Sequence, residues 1–438
     1  MKNKKALNLL FVANGISGFA QGITMLSIPW YFIHVRNESG MWMGFYAVIT
    51  LGSIFWGLYA GALVDGFNRK DVFLGTNFIE GLIVLSVASL GFKEEVLPAI
   101  LIVMVFTTTF YGYNIHYPNL YAFAQEISDP KDYTRVTSYI EIVGQSTSIA
   151  AAALGAILLE GMNTTIDLTN LGINLSIPIQ VRKWELHEIF LLDGITYILS
   201  FIMIIFIRHK PVRNVTQIEA DEGDLTDRLK VGYDYLKKNP LVTIFGICSY
   251  AIFIVVLVEI FSLVPIYISA HLQRGGDVVG LTELMYASGS LISGFVISKV
   301  LRSMPIPRSI ILLTFLTTIA FFICAVTRAV WIFYIVSFFI GFANSGSRIF
   351  RVSFLFKLIP NDLTGRVNSI FNVITTVIRI VFILIFWIPF FSQGSNIVYA
   401  FGILGCFTLL AGIILLLLYN KVLKLTKGQE QPVAAVKQ

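Results

Sequence analysis

Charge is scarce in this chain of 438 residues. Only 13% are Asp, Glu, Lys or Arg, about half the usual share of a soluble domain. Cysteine is nearly absent: Cys248, Cys324 and Cys406 all fall within apolar runs, with no disulfide framework and no metal-ligand spacing. They read as small packing residues. The five histidines are scattered, and no paired His or Asp motif marks a catalytic centre at a membrane edge. A membrane enzyme is therefore not the expected class. A phosphate-binding Gly-x-x-x-x-Gly-Lys-[Ser/Thr] loop is missing too, which argues against direct use of ATP.

What is abundant is apolar. Hydrophobic residues make up 56% of the chain and the mean hydropathy is +0.77. They come in runs of roughly 20 or more, and at about 1.5 Å per residue each run crosses a hydrocarbon core of about 30 Å. The expected spans are 7–34, 42–64, 72–92, 97–124, 136–160, 188–207, 241–270, 279–298, 309–327, 331–356, 367–390 and 397–419. The basic, then apolar N-terminus has too long an apolar part for a signal peptide, and reads as an uncleaved first span.

Twelve spans put both ends on one side. With that side taken as cytoplasmic, about 23 Lys and Arg fall inside, about 6 outside and three within spans, the asymmetry of the positive-inside rule. The formal net charge of +6 thus follows from topology and does not call for nucleic acid. The expected divisions are 1–208, a first six-helix bundle with an outside insertion at 161–187; 209–240, a cytoplasmic linker; 241–420, a second six-helix bundle; and 421–438, a disordered cytoplasmic tail. The insertion is rich in Asn, Thr and Ile, and can form a strand pair, a lid or a plain loop. The linker places Leu225, Leu229, Tyr233 and Leu236 on one helical face, the pattern of an amphipathic helix against the membrane or the bundle.

Charged residues inside spans are costly, at about 2.5–3.5 kcal/mol each on insertion scales. Glu80, Glu141, Glu259, Arg348, Arg351 and Arg379 must therefore face one another or a watery cavity. Polar stripes at helical spacing accompany them: Asn14, Ser17 and Gln21 in the first span, Ser138, Glu141, Gln145 and Ser148 in the fifth, and Asn368, Asn372, Thr375, Thr376 and Arg379 in the eleventh. The fourth span carries "YGYNIHYPNLY", with Tyr113, His116, Tyr117 and Tyr121 at helical spacing and Pro118 as an expected kink. That is an aromatic wall for a bulky amphipathic ligand, or an interfacial belt. His116 reads as a hydrogen-bonded structural histidine ahead of a proton carrier.

Between the second and third spans, "GALVDGFNRKD" concentrates Asp65, Arg69, Lys70 and Asp71 in a short loop. "TRVTSYIEIV" at 134–143 and "GRVNSIFNVI" at 365–374 stand 231 residues apart, and "GFVISKVLRS" at 294–303 follows the loop motif at a similar offset of 233. The loop resembles the signature of the major facilitator superfamily, with Gly61, Leu63, Asp65, Arg69 and Lys70 in register; Asn68 stands in place of its last glycine. "DRLKVGYDYLKKNPLV" and "NDLTGRVNSI" resemble the branch of macrolide-efflux and enterobactin-type exporters. The resemblance covers roughly residues 5 to 420. Two departures go with it. The second copy of the loop motif has Ser298 where the first has Asp65, and "SIAAAALGAILLEG" lacks the proline that drug antiporters often carry in the fifth span.

The resemblance implies an all-α membrane protein of two pseudo-symmetric six-helix bundles that rock about a cavity in alternating access. It implies proton-coupled export of an amphipathic small molecule by a monomer in a bacterial inner membrane, with no cofactor beyond the ion gradient. An uptake carrier, a lipid or solute transporter, or a non-transporting sensor on the same scaffold are the alternatives. Gly61, Asp65, Arg69 and Lys70 would form a cytoplasmic latch, in which Asp65 meets a helix N-terminus and Arg69 pairs with Asp65 or neighbouring carboxylates; the plain alternative is retention of the loop by its positive charge. Glu259 is the first proton-coupling candidate, followed by Glu80 and Glu141. Substrate-cavity candidates are Asn14, Gln21, Tyr113, His116, Tyr117, Asn344, Arg348, Arg351, Asn372, Thr376 and Arg379. Arg379 can serve as counter-ion to Glu259 or bind an anionic substrate, and Glu141 can pair with Arg348 or Arg351.

Overall fold

The computed structural model describes residues 4–93, 96–128, 133–167, 176–208, 225–300, 304–359 and 363–430. Twelve of its helical segments are long and apolar enough to cross a membrane, as the hydropathy requires. The chain forms two compact units. The first contains residues 1–38, 56–218 and 273–284, the second residues 39–55, 219–272 and 285–438.

The first unit contains α1 (Lys4–Trp30), the last part of α2 (Ser39–Gly66), α3 (Arg69–Gly91), α4 (Ala99–Glu126), α5 (Tyr133–Glu160) and α6 (Leu186–Ile205). Local chemistry sets several boundaries. Asn68 accepts from the Lys70 backbone N–H at 3.1 Å and starts α3. A capping box of Glu185 and Glu188 starts α6. Gly161, at φ +76°, lies beyond the end of α5 in the left-handed region where glycine stands at no cost. The 161–187 insertion contains two antiparallel strands, β1 (Met162–Asp167) and β2 (Ser176–Val181), paired from Met162 with Val181 to Asp167 with Ser176. The expected strand pair is present. One end of the unit packs Leu7, Leu10, Phe73, Leu120, Phe123 and Ile204 into an apolar cluster. Helix α4 continues through Pro118.

The second unit contains residues 39–55 of α2, α7 (Leu225–Lys238), α8 (Pro240–Ser249), α9 (Ala251–Val258), α10 (Val264–Ile266), the rest of α11 (Gly276–Val300), α12 (Ile306–Val326), α13 (Val330–Leu358), α14 (Thr364–Phe386) and α15 (Ile397–Glu430). The expected single helix over 241–270 is a helical run with two wide π-turns, Glu259–Leu263 and Tyr267–His271. Pro265 explains part of this, because it has no N–H for the Phe261 carbonyl. The Trp42 indole N–H supplies the missing bond at 2.6 Å.

Two expectations change in this unit. The linker helix α7 forms as expected, but its packed face is different: Tyr233 is exposed and Leu236 buried, while the Tyr235 hydroxyl donates to the Leu358 carbonyl at 3.0 Å. Gly232 lies against the Arg366 backbone, so contact with α14 selects the face containing residues 232, 235 and 236. The side chains of Leu225 and Leu229 lie outside the described residues. The tail expected to be disordered from 421 continues as helix to Glu430, anchored by buried Val422; residues 431–438 lie outside the described residues.

Candidate functional site

In the first unit, α1 and α4 bring polar side chains together. Asn14, one turn before the buried Ser17, bonds the His116 ring at 2.7 Å. Phe73 packs edge-on against that ring at 5.2 Å. His116 is thus hydrogen-bonded, with Asn14 as its partner. Gln21 donates to the Thr109 carbonyl at 3.4 Å. Tyr113 and Tyr117 lie 4.5 Å apart between ring centroids, with Tyr113 half exposed, and Tyr117 also contacts His116 at 5.6 Å. The aromatic wall of α4 is therefore continuous from Tyr113 to His116.

Arg69 and Lys70 of the loop bond to other residues of the first unit. Arg69 Nη1 donates to the Ala122 carbonyl at 2.8 Å and to Glu126 at 3.1 Å. Lys70 Nζ donates to the carbonyls of Ile205 and Ile207, both at 2.9 Å, where a helix C-terminus welcomes a cation. Asn119 Nδ2 returns a bond to the Arg69 carbonyl at 2.8 Å. The carboxylate that Arg69 meets is thus a neighbouring one, Glu126. Gly61 lies in α2, and the Asp65 and Glu141 side chains lie outside the described residues. Arg69→Ala should lower the thermal unfolding midpoint of the purified protein, since hydrogen bonds to charged groups contribute about 1.5–3 kcal/mol.

The second unit holds the buried cations. Arg351, 4% exposed, stands over the Tyr250 ring at 3.9 Å and near Phe253 at 5.8 Å, and donates to the Ser249 carbonyl at 3.2 Å. Its Nε has no hydrogen-bond partner. Aromatic faces are thus its main neutralising surroundings. Arg379, 7% exposed, reaches Thr376 Oγ1 at 3.4 Å and faces Tyr46; its Nε is likewise unbonded. Tyr46 in turn donates to the Leu257 carbonyl at 3.1 Å. Glu259 is buried in the π-turn near Cys324, and no ion pair joins it to Arg379 among the described residues. Such π-turns often occur at functional positions. Asn344 donates to the Tyr286 hydroxyl at 2.6 Å. Arg348 and Asn372 are exposed. The eleventh-span stripe therefore divides, with Thr375 and Arg379 buried and Asn372 exposed.

Three side chains beside or among the buried charged groups are not among the residues singled out from the sequence. Asp193 is a fully buried carboxyl in α6, visible to any scan for acids inside apolar spans. Tyr46 and Tyr250 are ordinary aromatic residues in apolar runs, and only packing reveals Tyr250 as the face under Arg351 and Tyr46 as a neighbour of Arg379.

The geometry defines a polytopic helical membrane protein with ionisable groups buried inside its units. The sequence profile of the Major Facilitator Superfamily matches residues 10–383. The chain belongs to the Major Facilitator Superfamily, and is a membrane transporter rather than an enzyme. Among curated proteins none matches the sequence. Solved structures of similar fold include the nucleoside transporter NupG, with a TM-score of 0.69 at 12% identity over 94% of this chain and 99% of that one. A bacterial homologue of the iron transporter ferroportin in an inward-facing state has a TM-score of 0.67 at 14% identity, over 94% and 98%. A D-xylose–proton symporter has a TM-score of 0.66 at 12% identity, over 95% and 97%. At these identities the likeness is one of fold.

Proposed function

We propose that the chain is a secondary active transporter that exports amphipathic small molecules of the drug, macrolide or siderophore class by alternating access, in exchange for protons. It works as a monomer in a bacterial inner membrane, with both termini cytoplasmic and no cofactor beyond the ion gradient. One observation carries the reading: Arg351 and Arg379 are buried without a carboxylate partner among the described residues, Arg351 against the Tyr250 and Phe253 rings and Arg379 near Tyr46. Rings and guanidinium groups together suit a bulky ligand with both apolar and polar parts. The exporter branch is supported by the linker and eleventh-span sequences. Glu259 carries the proton in this reading, Arg348, Asn344, Asn372 and Thr376 add polar contacts, and the 61–70 loop acts as a latch. A second reading, uptake of a polar solute, is favoured by the amide–hydroxyl pair of Asn344 and Tyr286; the nucleoside and xylose transporters among the fold relatives carry such cargo.

The test uses proteoliposomes with an internal pH dye and a panel of macrolides, lipophilic cations, siderophores and sugars. One class is expected to move protons, and Glu259→Gln is expected to stop that movement. Labelled substrate crossing with no proton movement would replace the proton with sodium or with facilitated exchange.

A further inference from the structure

Four helices of the first unit, α1, α3, α4 and α6, meet around two acidic side chains that lack a counter-ion. Glu80 on α3 is 8% exposed, and Asp193 on α6 is fully buried. Glycines bring the helices close. A Cβ at Gly81 would stand 3.1 Å from the Tyr197 Cβ, and one at Gly194 would stand 2.6 Å from Leu85. On α4, Gly112 leaves the space that the Glu80 carboxyl occupies, and any side chain there would collide with it.

Hydroxyls turn inward to the same place. Tyr197 faces Glu80 and Thr109, Thr24 of α1 faces Asp193, and Glu80 lies within reach of the Asp193 charge. None of these approaches is a formed hydrogen bond: both Asp193 oxygens and the hydroxyls of Tyr197, Thr24 and Thr109 are buried without a partner. Buried polar atoms are normally bonded, and these converge on one another without completing their bonds.

Among the described residues, no Lys or Arg faces the pair from α1, α3, α4 or α6. The basic residues of α1 and α3 are Lys4, Lys5, Arg69 and Lys70, all at helix starts, and α4 and α6 have no Lys or Arg. Arg69 and Lys70 are engaged with Ala122, Glu126, Ile205 and Ile207. His116, one turn beyond Gly112, is taken by Asn14.

We propose that Glu80 and Asp193 form a proton-binding pair inside the first unit, a site separate from Glu259; its use in coupling rests on the proton-driven reading above. A proton on either carboxyl removes the repulsion between the two. It also gives Tyr197 and Thr24 acceptors of defined position. A proton needs no coordination shell, which suits a pocket closed by Gly81, Gly112 and Gly194.

The experiment is an infrared difference titration of the purified full chain in lipid nanodiscs, followed at the C=O stretch of protonated carboxylic acids. The wild type should show a buried-acid band lost as pH rises and unchanged by sodium chloride. Glu80→Gln or Asp193→Asn should remove or displace it, a loss of one titrating acid per chain, while Glu259→Gln leaves it in place. Tyr197→Phe keeps both carboxyls and should shift the band to higher frequency, a readout that survives if the acid variants fail to fold. A band indifferent to Glu80, Asp193 and Tyr197, the lack of such a band, or its removal by sodium at constant pH would overturn the pair. Because the titration needs no substrate, a failed export reading leaves its result intact, and the reverse also holds.

Discussion

Arg379→Met should raise the thermal stability of the purified protein while transport of anionic probes falls tenfold or more. The side chain is almost wholly buried and its one hydrogen bond, to Thr376 at 3.4 Å, is long. A buried charge without a counter-charge costs stability, about 2.5–3.5 kcal/mol at mid-membrane on insertion scales. Methionine fills a similar volume and adapts to irregular space, so much of that cost should return, on the order of 1–3 kcal/mol. A residue kept at such expense is the kind that function retains. The measurement pairs unfolding midpoints with uptake of an anionic and a neutral fluorescent dye in proteoliposomes. Loss of stability instead would mean that Arg379 is held by a counter-charge, and the anion-binding role would be withdrawn.

The contrast between Arg379 and Glu259 shows what a single sequence can reveal. That both lie within spans follows from hydropathy, which is local and strong: twelve spans, the linker helix and the insertion were all legible from runs of residues. Facing is different, because it depends on the rotation of each helix about its axis. The eleventh-span stripe reads as one polar face, yet Thr375 and Arg379 are buried while Asn372 is exposed, since α14 also turns Val367, Phe371, Phe382 and Ile383 inward. Likewise Glu259 and Arg379 have the right charges for a pair, but Arg379 turns to Tyr46, whose position 333 residues earlier in the chain leaves no local trace. The Trp42 bond to Phe261 belongs to the same class: Pro265 announces a free carbonyl, and nothing nearby in sequence says which donor comes to it. Tight glycine contacts are also invisible, because a glycine in an apolar span looks alike whether it faces lipid or a neighbouring helix.

That last ambiguity can be tested at the crossing of α11 and α13. Gly341 lies on the Tyr286 carbonyl, and Gly289 on the Phe338 carbonyl, so closely that a Cβ at either place would collide with backbone. Small residues let membrane helices approach in this way, and the contact is driven by packing because lipid offers no hydrophobic force between helices. Ser290 adds a bond to the Gly341 carbonyl at 3.2 Å, and one turn further Asn344 meets Tyr286 at 2.6 Å. Gly341→Ala must push the two backbones apart, since no side-chain rotation relieves a collision with a carbonyl. Overpacking of this kind costs about 1–3 kcal/mol, and separation of the helices would also stretch the Asn344–Tyr286 bond, adding about 1 kcal/mol. The expected result is a lower unfolding midpoint for Gly341→Ala and for Gly289→Ala, with the double variant less than additive because one displacement serves both. Gly402 on α15 provides the control. A Cβ there meets open space, so Gly402→Ala should leave the midpoint unchanged or raise it by the helix propensity of alanine, about 1 kcal/mol. Equal effects at Gly341 and Gly402 would show that the crossing tolerates separation, and that the polar pair rather than the glycines holds α11 to α13.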